Sequence, residues 1–127
     1  MKRERIRYIV FEILCSHEIH FRPLTSAIWS ELYTLFGENG TSKTGLWLVT
    51  LAACPQEGGP GEVEEKLKIY RGILRTNEQN TEIIRITLAF MTEIDRNSAL
   101  FRVLGVSGTI KKAQKNYLTP CTPIPTK

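Results

Sequence analysis

Four short runs rich in β-branched and aromatic residues alternate with two stretches of helical periodicity, and this order constrains the chain more than any other feature. The strand-like runs are residues 7–14 (RYIVFEIL), 46–53 (LWLVTLAA), 67–76 (LKIYRGILRT) and 98–107 (SALFRVLGVS). Each is short enough for a strand. The first has apolar residues on both faces, which suits an interior strand. Between the first two runs, Ile28, Leu32, Leu35 and Phe36 recur at i, i+4, i+7 and i+8, the stripe of an amphipathic helix. Pro23 and Thr25 introduce it, and Gly37 and the Asn39-Gly40 pair end it. A second helix is predicted over residues 81–95, capped by Thr81, with Ile83, Ile86, Thr87, Phe90 and Ile94 on one stripe. A short helical pattern closes residues 110–118.

The order is β-α-β-β-α-β plus a C-terminal helix. Two such halves predict an α+β, ferredoxin-like sandwich: a four-stranded antiparallel sheet with two helices on one face. Residues 1–118 read as one domain. Residues 119–127 (TPCTPIPTK) hold three prolines and are expected to form a flexible tail. Residues 55–65, between the second and third strands, are rich in glycine and glutamate and read as a solvated loop.

A chain of 127 residues suits a single domain with a real core. No stretch approaches the ~20 apolar residues of a membrane span. The start, MKRERIRYIVFEIL, reads as a basic arm entering a strand, because Glu12 interrupts the apolar run and no small-residue cleavage site follows. Three cysteines, Cys15, Cys54 and Cys121, show no paired spacing, which predicts free thiols in a reducing, cytoplasmic setting. The net charge of +4 hides a segregation. Lys2, Arg3, Arg5 and Arg7 face only Glu4 at the N-terminus, while residues 96–127 carry six basic residues and no acid. If the two ends meet, they form a cationic patch suited to a polyanion; two solvated termini are the plain alternative.

Several near-motifs fail on spacing or context. GENGTSKT, residues 37–44, lacks the second glycine of a phosphate loop, and it leaves a helix where that loop must open one. His17 and His20 are three apart in a loop, not four apart on a helix, so no metal site is expected. No triad or dyad of catalytic residues stands out. The third strand starts as an RNA-recognition run, Arg71-Gly72, then lacks the aromatics that stack bases, so stacking on this sheet is not expected. Arg71 and Arg75 share one face of that strand and suit phosphates or glutamates equally.

The last helix is more informative. At about 100° per residue, Ile110, Ala113 and Tyr117 fall on one side and Lys111, Lys112 and Lys115 on the other. Lysines in a first turn oppose the helix dipole. Ser107, Gly108 and Thr109 place hydroxyls and open backbone just before them. A bound anion would accept from these groups and neutralise the lysines; a solvated lysine face is the alternative.

The run 106–113, VSGTIKKA, resembles the closing motif of ribonuclease P protein component two. That family is the archaeal relative of a small subunit shared by eukaryotic ribonuclease P and RNase MRP. Residues 7–13 (RYIVFEI), residues 35–37 (LFG) and residues 69–75 (IYRGILR) followed by the helix at 81–95 agree in order, so the resemblance covers about residues 5–118. It implies a ferredoxin-like subunit of an endoribonuclease that matures the 5′ end of precursor transfer RNA. The RNA would carry catalysis and bind magnesium, and this chain would hold no catalytic residue, metal or cofactor. Its implied partners are ribonuclease P RNA, precursor tRNA in the holoenzyme, and another protein subunit, as a heterodimer or a dimer of heterodimers. Arg5, Arg7, Arg71, Arg75, Ser107, Thr109, Lys111, Lys112 and Lys115 are the candidate RNA contacts. Trp29 and Tyr33 are candidates for protein contact. The chain departs from the family at Arg75-Thr76, where Arg-Cys is common, and in the acidic loop 55–65, which is expected to point away from RNA. The competing expectation is a ferredoxin-like protein-interaction or small-molecule regulatory module that binds no RNA.

Overall fold

The first strand-like run has apolar side chains on both faces, and in the folded chain both faces are covered. The computed structural model describes residues 5–55 and 67–126. β1, Ile6–Cys15, turns Ile9, Phe11 and Ile13 into the main core and Val10 into a smaller core on the opposite face. Four more strands follow in the body: β2, Trp47–Cys54; β3, Lys68–Asn77; β4, Glu93–Ile94; and β5, Asn97–Ser107. A last one, β6, Thr122–Pro123, lies in the tail. They form one antiparallel sheet in the order β4-β5-β1-β3-β2-β6. The expected four-stranded sheet is therefore six-stranded. The four long strands are those the sequence predicts, and the two additions are two-residue strands at its margins.

Both long helices cover the same face. α1, Phe21–Ser42, buries Leu24, Ile28 and Leu32; α2, Thr81–Phe90, buries Ile84, Thr87 and Leu88. α1 begins before Pro23, which fits because first-turn N–H groups have no helical partner to lose. Gly37 (φ 73°, ψ −177°) then kinks the helix, in a conformation that favours glycine. The residues expected to end α1, Asn39 and Gly40, lie in the short helical stretch beyond the kink.

α2 differs more from expectation. It stops at Phe90, and Asp95 and Arg96 take φ 51° and 69° in a two-residue turn joining β4 to β5. Two successive positive φ values are the type I′ turn, whose twist matches paired strands. Ile94 is thus buried from a strand, not from the helix. The expected stripe is also rotated: Ile86 and Phe90 point outward, 41% and 61% exposed.

On β3, Gly72 makes room for an aromatic ring. A Cβ there would lie 2.6 Å from Phe11 Cζ and 3.2 Å from the Thr50 carbonyl oxygen. The opposite face of the sheet is covered at one end by α3, Ile110–Ala113, which continues through a wider π-type turn, Gln114–Leu118. Ala113 is fully buried with Val10 and Ile73, and Ile110, Tyr117 and Leu118 pack around them. Gly105 leaves room beneath this helix for the Tyr117 ring and hydroxyl, which a Cβ there would displace.

The tail, expected to be flexible, is tied down at three points. β6 pairs with β2 at Ala52↔Pro123 and Ala53↔Thr122. The Ile124 N–H donates to the Leu51 carbonyl at 2.8 Å, and its side chain packs on the main core. A disulfide joins Cys54 to Cys121, with Cα atoms 4.3 Å apart. This corrects the expectation of three free thiols. Closing a loop between cysteines 67 residues apart is worth about 4 kcal/mol in the chain-entropy account. Cys15 alone is free; it is buried, and desolvation pushes its thiol above the ordinary range. No helix among the described residues is long and apolar enough to cross a membrane. Apart from Pro55, the loop at 55–65 lies outside the described residues.

Candidate nucleic-acid interface

β5 delivers the chain to Ser107, opposite Tyr8 on β1. The Ser107 hydroxyl donates to the Thr109 carbonyl at 2.8 Å and accepts from the Thr109 N–H at 3.2 Å. Thr109, extended at φ −136° and ψ 145°, is the N-cap of α3, and its Oγ1 accepts from the Lys112 N–H at 3.3 Å. The two hydroxyls singled out in the sequence thus hold the helix start. What faces outward is charge. Lys111, Lys112 and Lys115 are exposed, and their ammonium groups make no hydrogen bond or ion pair among the described residues. Ala113 is buried while Ile110 and Tyr117 are half-buried, as the helical wheel predicts. Thr109→Ala should destabilise the protein by about 1 kcal/mol, the usual worth of such a cap. It should also raise amide exchange at Lys112, and unchanged exchange there would contradict the capping role.

Among the described residues of the basic N-terminal run, Arg7 in β1 meets this helix. A Cβ at Gly108 would lie 3.6 Å from Arg7 Nη1, so the Arg7 side chain abuts the motif, while residues 1–4 lie outside the described residues. Arg7 also reaches Glu78, Nη2 to Oε1 at 3.2 Å, and donates from Nη1 to the Ile6 carbonyl at 3.1 Å. Arg5 is exposed, with its carbonyl accepting from the Glu78 N–H at 2.7 Å. Arg75 is exposed and stands opposite Tyr8 on one side and Trp47 on the other. Directly opposite residues share a face, and Tyr8 packs in the small core under α3. Arg75 therefore flanks the lysine helix.

Arg71 is placed differently. Its Nε donates to Glu12 Oε2 at 3.0 Å and its Nη1 to the Tyr117 carbonyl at 2.9 Å. The other Glu12 oxygen accepts from Arg102 Nε at 2.8 Å. Of the two partners the sequence allowed for Arg71, phosphate and glutamate, the glutamate is the one engaged. Arg71 holds the end of the lysine-bearing turn to the sheet instead of presenting a free charge. The signal was there: Glu12 is the one acid in an otherwise apolar strand core, and a largely buried carboxylate needs a cation. Trp47 was missed as well. It is 67% exposed, opposite Arg75, and puts an aromatic at the margin of a sheet on which base stacking was not expected from the third strand.

The remaining near-motifs stay apart from this surface. Lys43 is exposed at the C-cap of α1, and its carbonyl accepts from Asn77 and Asn80. His20 precedes α1, and neither ring nitrogen of His17 has a partner among the described residues. Trp29 packs against the main core, whereas Tyr33 is 57% exposed.

The Rpp14/Pop5 family matches residues 7–118, from Arg7 to the end of the lysine turn. The chain belongs to that family. Among curated Rpp14/Pop5 relatives, ribonuclease P protein component 2 of Thermococcus gammatolerans is 31% identical over 116 residues, covering 91% of this chain and 85% of that one. The protein of the same name from Pyrococcus furiosus is 28% identical over 117 residues, covering 92% and 86%. A chain in the cryo-EM structure of yeast ribonuclease MRP shares the fold, with a TM-score of 0.54 at 14% identity, over 86% of this chain and 78% of that one.

Proposed function

We propose that this Rpp14/Pop5 chain is a protein subunit of ribonuclease P that supports a catalytic RNA in 5′ maturation of precursor tRNA. The observation that carries the proposal is the exposed lysine face of α3 and the turn after it, without an ion-pair partner among the described residues, docked by Ala113 and flanked by Arg75, within a chain whose relatives are named ribonuclease P protein component 2. Side chains of this kind contact phosphates and fix position without reading sequence. The RNA carries catalysis and its magnesium, and the chain acts in the cytoplasm. The order β5-β1-β3-β2 of the long strands, with α1 and α2 on one face, supports the ferredoxin-like description. The exposed Tyr33, Ile86 and Phe90 of the helix layer suit a partner protein subunit, as a heterodimer or a dimer of heterodimers.

Capture of the native complex followed by RNA sequencing tests the proposal. A ribonuclease P RNA should be recovered, and its affinity should fall steeply with salt, because each neutralised phosphate releases counterions. Recovery of the chain with proteins but no such RNA would overturn it.

A further inference from the structure

A groove of about 560 Å³ lies beside the lysine face, between β2, α3 and the tethered tail. Its apolar lining comes from Ala52, Leu118 and Pro123, and Lys111 and Lys115 stand on one rim. Gln114, between the lysines, offers an amide that both donates and accepts, and the hydroxyl-bearing Thr50 and Thr119 complete the polar part. Among the described residues, no acidic side chain lines it. We propose that this groove holds one unstacked nucleotide of RNA, with the base against Ala52, Leu118 and Pro123 and the phosphate on Lys111 and Lys115.

Size and chemistry agree on this occupant. Pockets of about 300–1,000 Å³ take small organic ligands, and a nucleotide joins a flat, largely apolar base to an anion. Two lysines four residues apart on a helical turn lie about 5–6 Å from one another at Cβ, close enough to share one phosphate. RNA recognition commonly draws on splayed, single-stranded bases, whose edges an amide such as Gln114 can meet. A paired helix keeps its bases stacked and could touch only the rim.

The outer wall of the groove is the tail, held by the Cys54–Cys121 bond and the β6 pairing. A dithiol reductant would open that bond, giving two thiols here and a disulfide on the reductant. Reduction therefore loosens the wall and leaves both lysines in place. The subsite presupposes the RNA-binding role proposed above.

Methyl NMR of the full chain tests the proposal with four probes: a nucleoside monophosphate, a short single-stranded RNA, an RNA duplex and inorganic phosphate. The monophosphate and the single strand should shift the Ala52 and Leu118 methyls. The duplex and inorganic phosphate should leave these methyls unmoved. Cys121→Ser should weaken single-strand binding about fivefold, the order expected for losing contact with one apolar surface, and duplex binding little. Adding a dithiol to the wild-type chain should do the same, which covers the case of a variant that folds poorly. If the single strand binds with steep salt dependence but leaves Ala52 and Leu118 unmoved, the groove is not a nucleotide site, and the RNA-binding role stands. If neither RNA binds, both ideas fail.

Discussion

A chain with Lys111, Lys112 and Lys115 all replaced by glutamine should bind ribonuclease P RNA with a much flatter salt dependence and an unchanged fold. Each phosphate contact contributes about 0.7–0.9 to the slope of log affinity against log salt, so three contacts remove about 2–3 from it. Between about 50 and 200 mM salt, the wild-type chain should then lose roughly 20- to 40-fold more affinity than the variant. The fold survives because all three side chains are exposed and the docking face, Ile110, Ala113 and Tyr117, is untouched. Glutamine keeps helix propensity, and removing cations from a first turn relieves the dipole, so stability should rise by a few tenths of a kcal/mol. Filter binding across a salt series and a thermal melt decide the matter. An unchanged slope would place the RNA elsewhere on the molecule. A collapsed melt would make the lysines structural.

Glu12→Ala should destabilise the protein by about 2 kcal/mol, lowering its melting temperature by roughly 8 °C. The carboxylate is 12% exposed and joins Arg71 to Arg102, and Arg71 in turn holds the Tyr117 carbonyl. Removing it leaves the Arg71 guanidinium, only 27% exposed, without its anion. Fully buried pairs cost about 3–5 kcal/mol to break by losing one partner, and partial solvation here reduces that figure. Arg102→Ala should cost less than about 1 kcal/mol, because that side chain is 65% exposed and its loss leaves Glu12 paired. Calorimetry of the two variants separates the roles, and amide exchange at residues 113–118 should rise in Glu12→Ala alone. Equal losses would mean that the two arginines share the carboxylate as equivalent surface partners.

Periodicity carried the element order because burial acts on whole stretches. A continuous apolar, β-branched run along β1, or a stripe through Ile28 and Leu32, leaves a clear trace in one dimension. What escaped depended on single residues or distant pairs. Asp95-Arg96 makes a type I′ turn without the usual asparagine or glycine, so Ile94 read as one more turn of α2. The stripe on α2 was misassigned because Ile83, Ile84, Ile86 and Leu88 supply apolar residues around much of the helix, and only packing chooses among them. Cys54 and Cys121 meet because β6 lies beside β2, and no local spacing announces a contact across 67 residues. The candidate site divides the same way. The lysine face follows from the wheel, whereas the fate of Arg71 and the exposure of Trp47 depend on which neighbours the sheet brings opposite them.

The two margins of the sheet are finished unequally. β2 has an irregularity between Leu48 and Thr50, then β6 across Ala52 and Ala53, with the disulfide beside them. β4 pairs only with Asn97 and Ser98 of β5, and the Ala99 N–H donates to the Thr92 carbonyl, leaving the outer side from Leu100 onward without a paired strand among the described residues. Unpaired edges recruit further strands, and bulges or short capping strands discourage this. Growth by strand addition, whether into an ordered assembly or an aggregate, is therefore one-sided in this molecule: blunted along β2, open along β5.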